Sequence, residues 1–289
     1  MVIAFNLGNH PGLPSAARYS SGPFTFPSQI ALFLPIAFHI AGILLAPFIG
    51  SFLGTLILRL PAGRPVLVDR SRCEACGQTL GVRDLVPLFS WLLLRGHCRH
   101  CGAKLGAFYP LIELAALGVA VWALFAVPLH LVWPTAALGW VLLALAVIDI
   151  RHLILPDVLT LPLIPAGLAV AWWLDADQLL HHALGAALGF LGFAGLAWAY
   201  RKFRGQEGLG LGDAKLLAAA GAWVSWSGLG SVLLWAAPLA LVVSLAAGVI
   251  HGTLSDRLAG RSAVPFGAFL ALGFWLTWIH GPIRLGWPG

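Results

Sequence analysis

Charge is what this chain has least of. Of 289 residues only 10% are Asp, Glu, Lys or Arg, while 60% are hydrophobic; a soluble domain carries roughly 25% charged residues. So few polar side chains cannot cover a protein in water, which excludes a free-standing soluble enzyme. A mean hydropathy of +0.90 fits an integral membrane protein instead. Cysteine is scarce too, with four residues, all between 73 and 101. Residues 1–28 are rich in Ser, Pro and Gly and lack a basic start before an apolar core, so no cleavable signal peptide is expected. A dinucleotide or phosphate loop is also missing. Gly208, Gly210 and Gly212 look like one, but no strand precedes them and their spacing is wrong.

What the chain does have is apolar length. A helix rises 1.5 Å per residue and the hydrocarbon core is ~30 Å thick, so about 20 apolar residues cross it. Eight stretches qualify, near 30–58, 109–129, 131–150, 158–174, 179–200, 213–228, 230–250 and 264–281. Backbone groups in lipid must be satisfied within their own segment, which selects helices over open strands. The small residues of "GAALGFLGFAG" (185–195) suit close helix packing, or are ordinary glycine tolerance. The expected fold is an all-α integral membrane protein of about eight transmembrane helices with a small cytosolic insert resembling a zinc ribbon.

Basic residues set the orientation. With the N-terminus outside, fifteen of the seventeen Lys and Arg fall on inner segments, leaving only Arg18 and Arg284 outside. This explains the net charge of +6 without nucleic acid, and the basic inner face can meet acidic inner-membrane lipid. The expected organisation is a periplasmic segment (1–29), a first span (30–58), a cytosolic cysteine-bearing domain (59–108), a seven-helix membrane region (109–281) and a short tail (282–289).

The cysteines form two CxxC pairs, Cys73/Cys76 and Cys98/Cys101, separated by 21 residues and each followed by glycine, Gly77 and Gly102. Two residues between thiols let one tight turn present both sulfurs to one ion, and four thiolates suit tetrahedral Zn2+. Two disulfides are the weaker reading, since the cytosol keeps thiols reduced; iron–sulfur or redox use is weaker still. His97 and His100 lie beside the second pair as bystanders. A structural role for the metal follows from the ~50-residue insert's small core.

Acids are rare in the apolar segments, so each one needs a reason. Asp149 falls at the inner end of the third span and Asp213 at the inner start of the sixth, at similar depth in one leaflet. Paired carboxylates share a proton, so one can act as base toward water and the other as acid toward a carbonyl oxygen. Blander alternatives stand beside this. Asp213 would N-cap its helix, Asp149 would pair with Arg151 or Lys215, and Asp157 would cap the fourth span. Gly208, Gly210 and Gly212 would let a substrate backbone approach Asp213. Glu113, inside the second span, would support the site, bind a polar ligand such as a cofactor, or snorkel to the interface.

Six stretches in order resemble the bacterial prepilin peptidases, or type IV leader peptidases: "GSFLGTLILRLP" (50–61), "RSRCEACG" to "CRHCG" (71–102), "FYPLIEL" (108–114), "DIRHLILPDVLTLPL" (149–163), "GLGLGDAKLLAAAGAW" (208–223) and "VPFGAFLALG" (264–273). Gly210-Leu211-Gly212-Asp213 matches the GxGD pattern of membrane aspartyl proteases. The resemblance implies a multi-pass bacterial inner-membrane protein with Asp149 and Asp213 as its catalytic pair. Its substrates would be prepilins or pseudopilins, of pili or type II secretion, cleaved in the basic leader at the cytosolic face. It also implies N-methylation of the new terminus with S-adenosylmethionine. Two positions depart from the family pattern, Gly54 where Asn is usual and Phe108 where Arg is common. The rivals are a proton-coupled transporter using the same acids as relays and a non-enzymatic scaffold built on the cysteine domain.

Overall fold

The computed structural model describes residues 28–66, 68, 70–205, 210–250 and 264–283, with side chains from His39 onward except at 204. The expected N-terminal segment lies outside the described residues up to 27, as does the tail from 284. Two compact units divide the chain at Ala41, and the first contributes only the helical stretch from Ser28.

Among the described residues there is no strand. The helices are α1 (Ser28–Arg59), α2 (Phe89–Leu93), α3 (Phe108–Ala126), α4 (Val132–His152), α5 (Asp157–Leu174), α6 (Leu179–Arg204), α7 (Leu211–Ile250) and α8 (Phe266–His280). Six of these are long and apolar enough to cross a membrane, and α8 is apolar but shorter. The 40-residue α7 is broken at Ser225, which has φ 64° and ψ 171°. Its two arms, 211–224 and 226–250, run back on each other, and this is why the expected sixth and seventh spans have almost no loop between them. Gly273 of α8 fits against Val232 and Ala236 of the second arm, while Gly228 lies near Thr277. The second arm and α8 are therefore antiparallel.

Close approach holds the bundle together. A Cβ on Gly221 of α7 would lie 2.1 Å from the carbonyl oxygen of Gly185 in α6, and one on Gly189 would lie 2.5 Å from that of Leu217. Of the small residues in 185–195, these two glycines carry the α6–α7 crossing; Gly192 and Gly195 face open space. The main core joins Leu142 and Leu145 of α4, Leu163 of α5, Leu216 and Trp223 of α7 and Phe274 of α8. Its polar atoms are satisfied internally, as lipid requires. Trp223 Nε1 donates to the Leu163 carbonyl at 2.8 Å, and Trp278 Nε1 to Thr135 Oγ1 at 3.0 Å.

A second core packs Leu53 and Ile57 at the end of α1 against Ile112 at the start of α3 and Ala144 and Ile148 near the end of α4. The segment between α1 and α3 and the C-terminal turn of α4 thus share one end of the bundle.

Candidate active site

At that end, α4 stops because Leu153 takes a left-handed conformation (φ 56°) and returns its N–H to the Asp149 carbonyl at 2.8 Å. Asp149 sits in this last turn, only 5% exposed. Its Oδ2 accepts the N–H of Ala268 at 2.9 Å, and the carboxylate also takes the Gly267 amide. Both amides belong to the first turn of α8, whose N-cap is Pro265 and has no capping side chain. Asp149 therefore supplies from another helix the acceptor that the start of α8 lacks.

Asp213 is the third residue of α7, within its first turn rather than at its N-cap. Its carboxylate reaches back to the Gly210 amide while its own N–H donates to the Gly210 carbonyl at 3.1 Å. This is half of a capping box. Each acid thus lies at the positive end of a helix, and Asp213 is near enough to feel the charge of Asp149. The structure brings the two acids together from residues 64 positions apart in sequence.

Leu155 is wedged between the two helix starts. A Cβ on Gly212 would stand 3.0 Å from Leu155 Cβ, and one on Gly267 would stand 2.7 Å from Leu155 Cδ1 and 3.0 Å from Asp149 Oδ2. Gly212 is small to admit Leu155. Of the two described glycines, Gly210 leaves room before the acid, with nothing nearer than Asp213 Oδ2 at 3.7 Å. Gly208 lies outside the described residues. Sequence reasoning missed Leu155, Gly267 and Ala268; the one signal was a glycine in the first turn of a helix with no capping side chain before it.

The ion pairs also differ from expectation. Lys215 Nζ meets both oxygens of Asp157, at 2.6 and 2.7 Å, tying the first turns of α7 and α5. Asp157 is the first residue of α5, behind an N-cap Pro156, and does not cap it. Arg151 turns away from Asp149 and stacks on the Phe108 ring, 4.7 Å from its centroid. His152 is exposed.

Glu113 is buried in α3, 5% exposed, and does not snorkel. Its Oε2 accepts the Leu88 N–H at 2.8 Å, and Ser51 of α1 also bonds the carboxylate. Leu88 has φ 62° and ψ −52°, and Phe89 N–H closes on the Pro87 carbonyl at 2.6 Å. That is a strained γ-turn, so Glu113 holds an unusual backbone in the cysteine segment. The α1 side of this region is tight as well: a Cβ on Gly54 would lie 2.8 Å from Tyr109 Cδ1. A larger residue at this position would require the Tyr109 ring to move.

The cysteine segment is built from two copies of one turn, 25 positions apart. Cys73 N–H bonds Gln78 O and Gly77 N–H bonds Cys73 O; Cys98 with Ala103, and Gly102 with Cys98, repeat this. Each turn is closed by one antiparallel bridge, Arg72 with Thr79 and His97 with Lys104. Gly77 and Gly102 take positive φ, 70° and 68°, as the knuckles require. All four sulfurs lie within 4.8 Å of one another, and Cys73 Sγ is 3.9 Å from Cys101 Sγ. Tetrahedral zinc at ~2.3 Å from each sulfur sets them about 3.8 Å apart, whereas a disulfide needs about 2 Å. The cluster fits a zinc site.

Electrostatics agree. The amides of Cys76 and Ala75 bring the Cys73 thiol down to about 7, and those of Cys101 and His100 lower Cys98. Cys101 receives the Ala103 amide, yet local desolvation within the exposed knuckle and the three neighbouring sulfurs push it up to about 11. Four thiolates cannot coexist there without a cation. Asp84, held well below the usual carboxylate range by Arg99 at 2.7 Å, braces the second knuckle.

Two family models match this chain in tandem: the bacterial peptidase A24 N-terminal domain over residues 44–127, and the type IV leader peptidase family over residues 136–252. Curated relatives agree along nearly the whole length. A Burkholderia pseudomallei (strain 1026b) protein is 37% identical over 93% of this chain and 93% of its own. One from Aeromonas hydrophila is 35% identical over 90% and 96%, and one from Pseudomonas aeruginosa 33% over 86% and 92%. All three carry the name prepilin leader peptidase/N-methyltransferase. No solved structure matches. The chain belongs to the type IV leader peptidase family of multi-pass membrane proteins.

Proposed function

We propose that this protein is a membrane aspartyl endopeptidase that removes the basic leader of prepilins or pseudopilins. The observation that carries the reading is the juxtaposition of Asp149 and Asp213 at one end of the bundle, each at a helix N-terminus. Two adjacent carboxylates share a proton. The ionised one takes a proton from a water, which attacks the scissile carbonyl carbon. The protonated one hydrogen-bonds the carbonyl oxygen and stabilises the charge that develops there. Collapse of the tetrahedral intermediate breaks the C–N bond, and the new amine takes its proton from the acid that had accepted the water's. No acyl-enzyme forms. The Ala268 and Gly267 amides fix Asp149 in place, and the Gly210 amide fixes Asp213.

The cysteine cluster holds Zn2+ as a structural ion, keeping Cys73, Cys76, Cys98 and Cys101 ionised together. The relatives' second name supports N-methylation of the new terminus with S-adenosylmethionine as donor. The proposed orientation places the insert and both acids on the cytosolic side of the bacterial inner membrane, where a basic leader would lie.

The test is cleavage of a membrane-embedded prepilin by the purified protein and by its Asp149→Asn and Asp213→Asn variants. Asn keeps size and an acceptor for the helix amides but cannot exchange the proton. Each variant is expected to lose at least about 10³-fold in rate while keeping its fold. Wild-type rate in either variant would overturn the pair.

A further inference from the structure

We infer that the segment from Val82 to Leu93 is a lipid-seated anchor, and that the cysteine insert lies on the membrane with this face in an anionic bilayer surface. Its exposed side chains are of the wrong kind for water. Val82 is 82% exposed, Phe89 69%, Leu92 70% and Leu93 82%, with Leu85 also exposed. Single exposed apolar residues would be ordinary; six within the twelve positions of one short segment, Val82, Leu85, Val86, Phe89, Leu92 and Leu93, are not.

Geometry sets the depth of this face. The 19 residues of α3 span about 28 Å, barely the hydrocarbon thickness, so its start at Phe108 must lie at the boundary. Glu113 is five residues, about 7.5 Å, further in, and its side chain leans back toward the helix start. The Leu88 amide is held on that carboxylate at 2.8 Å. The γ-turn at Leu88 is therefore pinned at the edge of the hydrocarbon, and Phe89, Leu92 and Leu93 follow directly. They stand where headgroups meet acyl chains.

Charge chooses the kind of lipid. Arg83 and Arg95, at either end of the anchor, are exposed, as is Lys104. Basic residues flanking an apolar face are how interfacial segments bind acidic headgroups. The same charges disfavour a basic peptide as the occupant. The inference rests on the chain spanning a membrane, not on the peptidase reading.

The test places a photoreactive p-benzoylphenylalanine at Phe89 or at Leu93 in the full chain. The protein is held in nanodiscs of equal phosphatidylglycerol and phosphatidylcholine, and adducts are identified by mass spectrometry. Both positions are exposed, so neither label removes packing, and retention of metal by the four cysteines reports an intact insert. Phe125, exposed on α3 within the span, is the reference position. Lipid adducts are expected at 89 and 93, several-fold richer in phosphatidylglycerol. Arg83→Gln with Arg95→Gln is expected to bring the two lipids to near-equal yield. The inference is overturned by absence of lipid adducts at both positions while 125 gives them. Equal yields from the two lipids in the otherwise native chain overturn it too, as does transfer of the adducts to a co-reconstituted prepilin. Because no cleavage is read, a failed peptidase assay leaves this result unaffected.

Discussion

At the scale of single residues, the acids are held by backbone rather than by cations. Asp149 takes two amides of α8 and Asp213 one of its own helix start, so the cations nearby are free for other work: Lys215 ties α5 to α7, and Arg151 covers Phe108. This makes Gly267 a sensitive position. A Cβ there would press on Asp149 Oδ2 at 3.0 Å and on Leu155 Cδ1 at 2.7 Å. The leucine tip can shift, but the carboxylate can move only by loosening its bonds to Gly267 and Ala268. Displacement of a catalytic group by a fraction of an ångström to 1 Å costs up to about 10²-fold. Gly267→Ala is expected to lower the cleavage rate by 10- to 100-fold, with little loss of thermal stability. Adding Leu155→Ala should restore part of it, because the substituted methyl then has somewhere to go. Additive losses in the double variant would show that Leu155 and Gly267 act independently. That the two acids would meet was legible in sequence from their rarity and shared depth. Their fixing was not, because backbone amides have no letter, and the wedge at Leu155 looks like any other apolar residue.

At the scale of elements, the cysteine insert stands apart because its order depends on few contacts. Two copied knuckles, each with one bridge, surround four sulfurs, and below about 70 residues such a unit needs a staple. Metal removal should therefore unfold the insert while the helices persist, read as lost protease resistance between residues 59 and 108 with unchanged helical circular dichroism. Cys76→Ser is expected to do the same without a chelator. The pH dependence has a definite sign. Cys73 is lowered from 9.0 to about 7 in the folded insert, so its contribution is full above the ordinary thiol value and fades as pH falls through about 7. In the metal-free protein, residual insert structure should fade over that window. Bound metal keeps the thiols ionised to lower pH, so the loaded insert should hold through neutrality and release its ion only in acid. An insert equally ordered with and without metal at all pH values would remove the structural role. The CxxC spacing made this element readable at sequence level. The anchor at 82–93 was not, since its run of five to six apolar residues is too short to read as a span.

At the scale of the whole molecule, the number of crossings decides which parts can meet. The spans and their order were visible in the apolar runs, since lipid imposes a length on each one. The break at Ser225 was visible only as a missing loop, because a left-handed serine inside an apolar run leaves no mark in composition. Pairings such as Gly185 with Gly221 were hidden for a similar reason: half the glycines in 185–195 face nothing. What the crossings produce is a shared end. The α1 terminus, the α3 start and the α4 terminus pack in one cluster, and α7 and α8 begin beside Asp149. The cysteine insert and the acid pair are therefore on one side of the membrane whatever that side is, and an orientation measured on one fixes the other. The fifteen basic residues that the sequence assigns to inner segments predict the cytosol for that side. Cys76 and Cys101 are exposed and report it. After the metal is stripped with a permeant chelator, a membrane-impermeant maleimide should label them in inverted inner-membrane vesicles and leave them unmodified in intact spheroplasts. Labelling in spheroplasts would put the insert outside. The acids would move with it, and a cytosolic leader could no longer reach them.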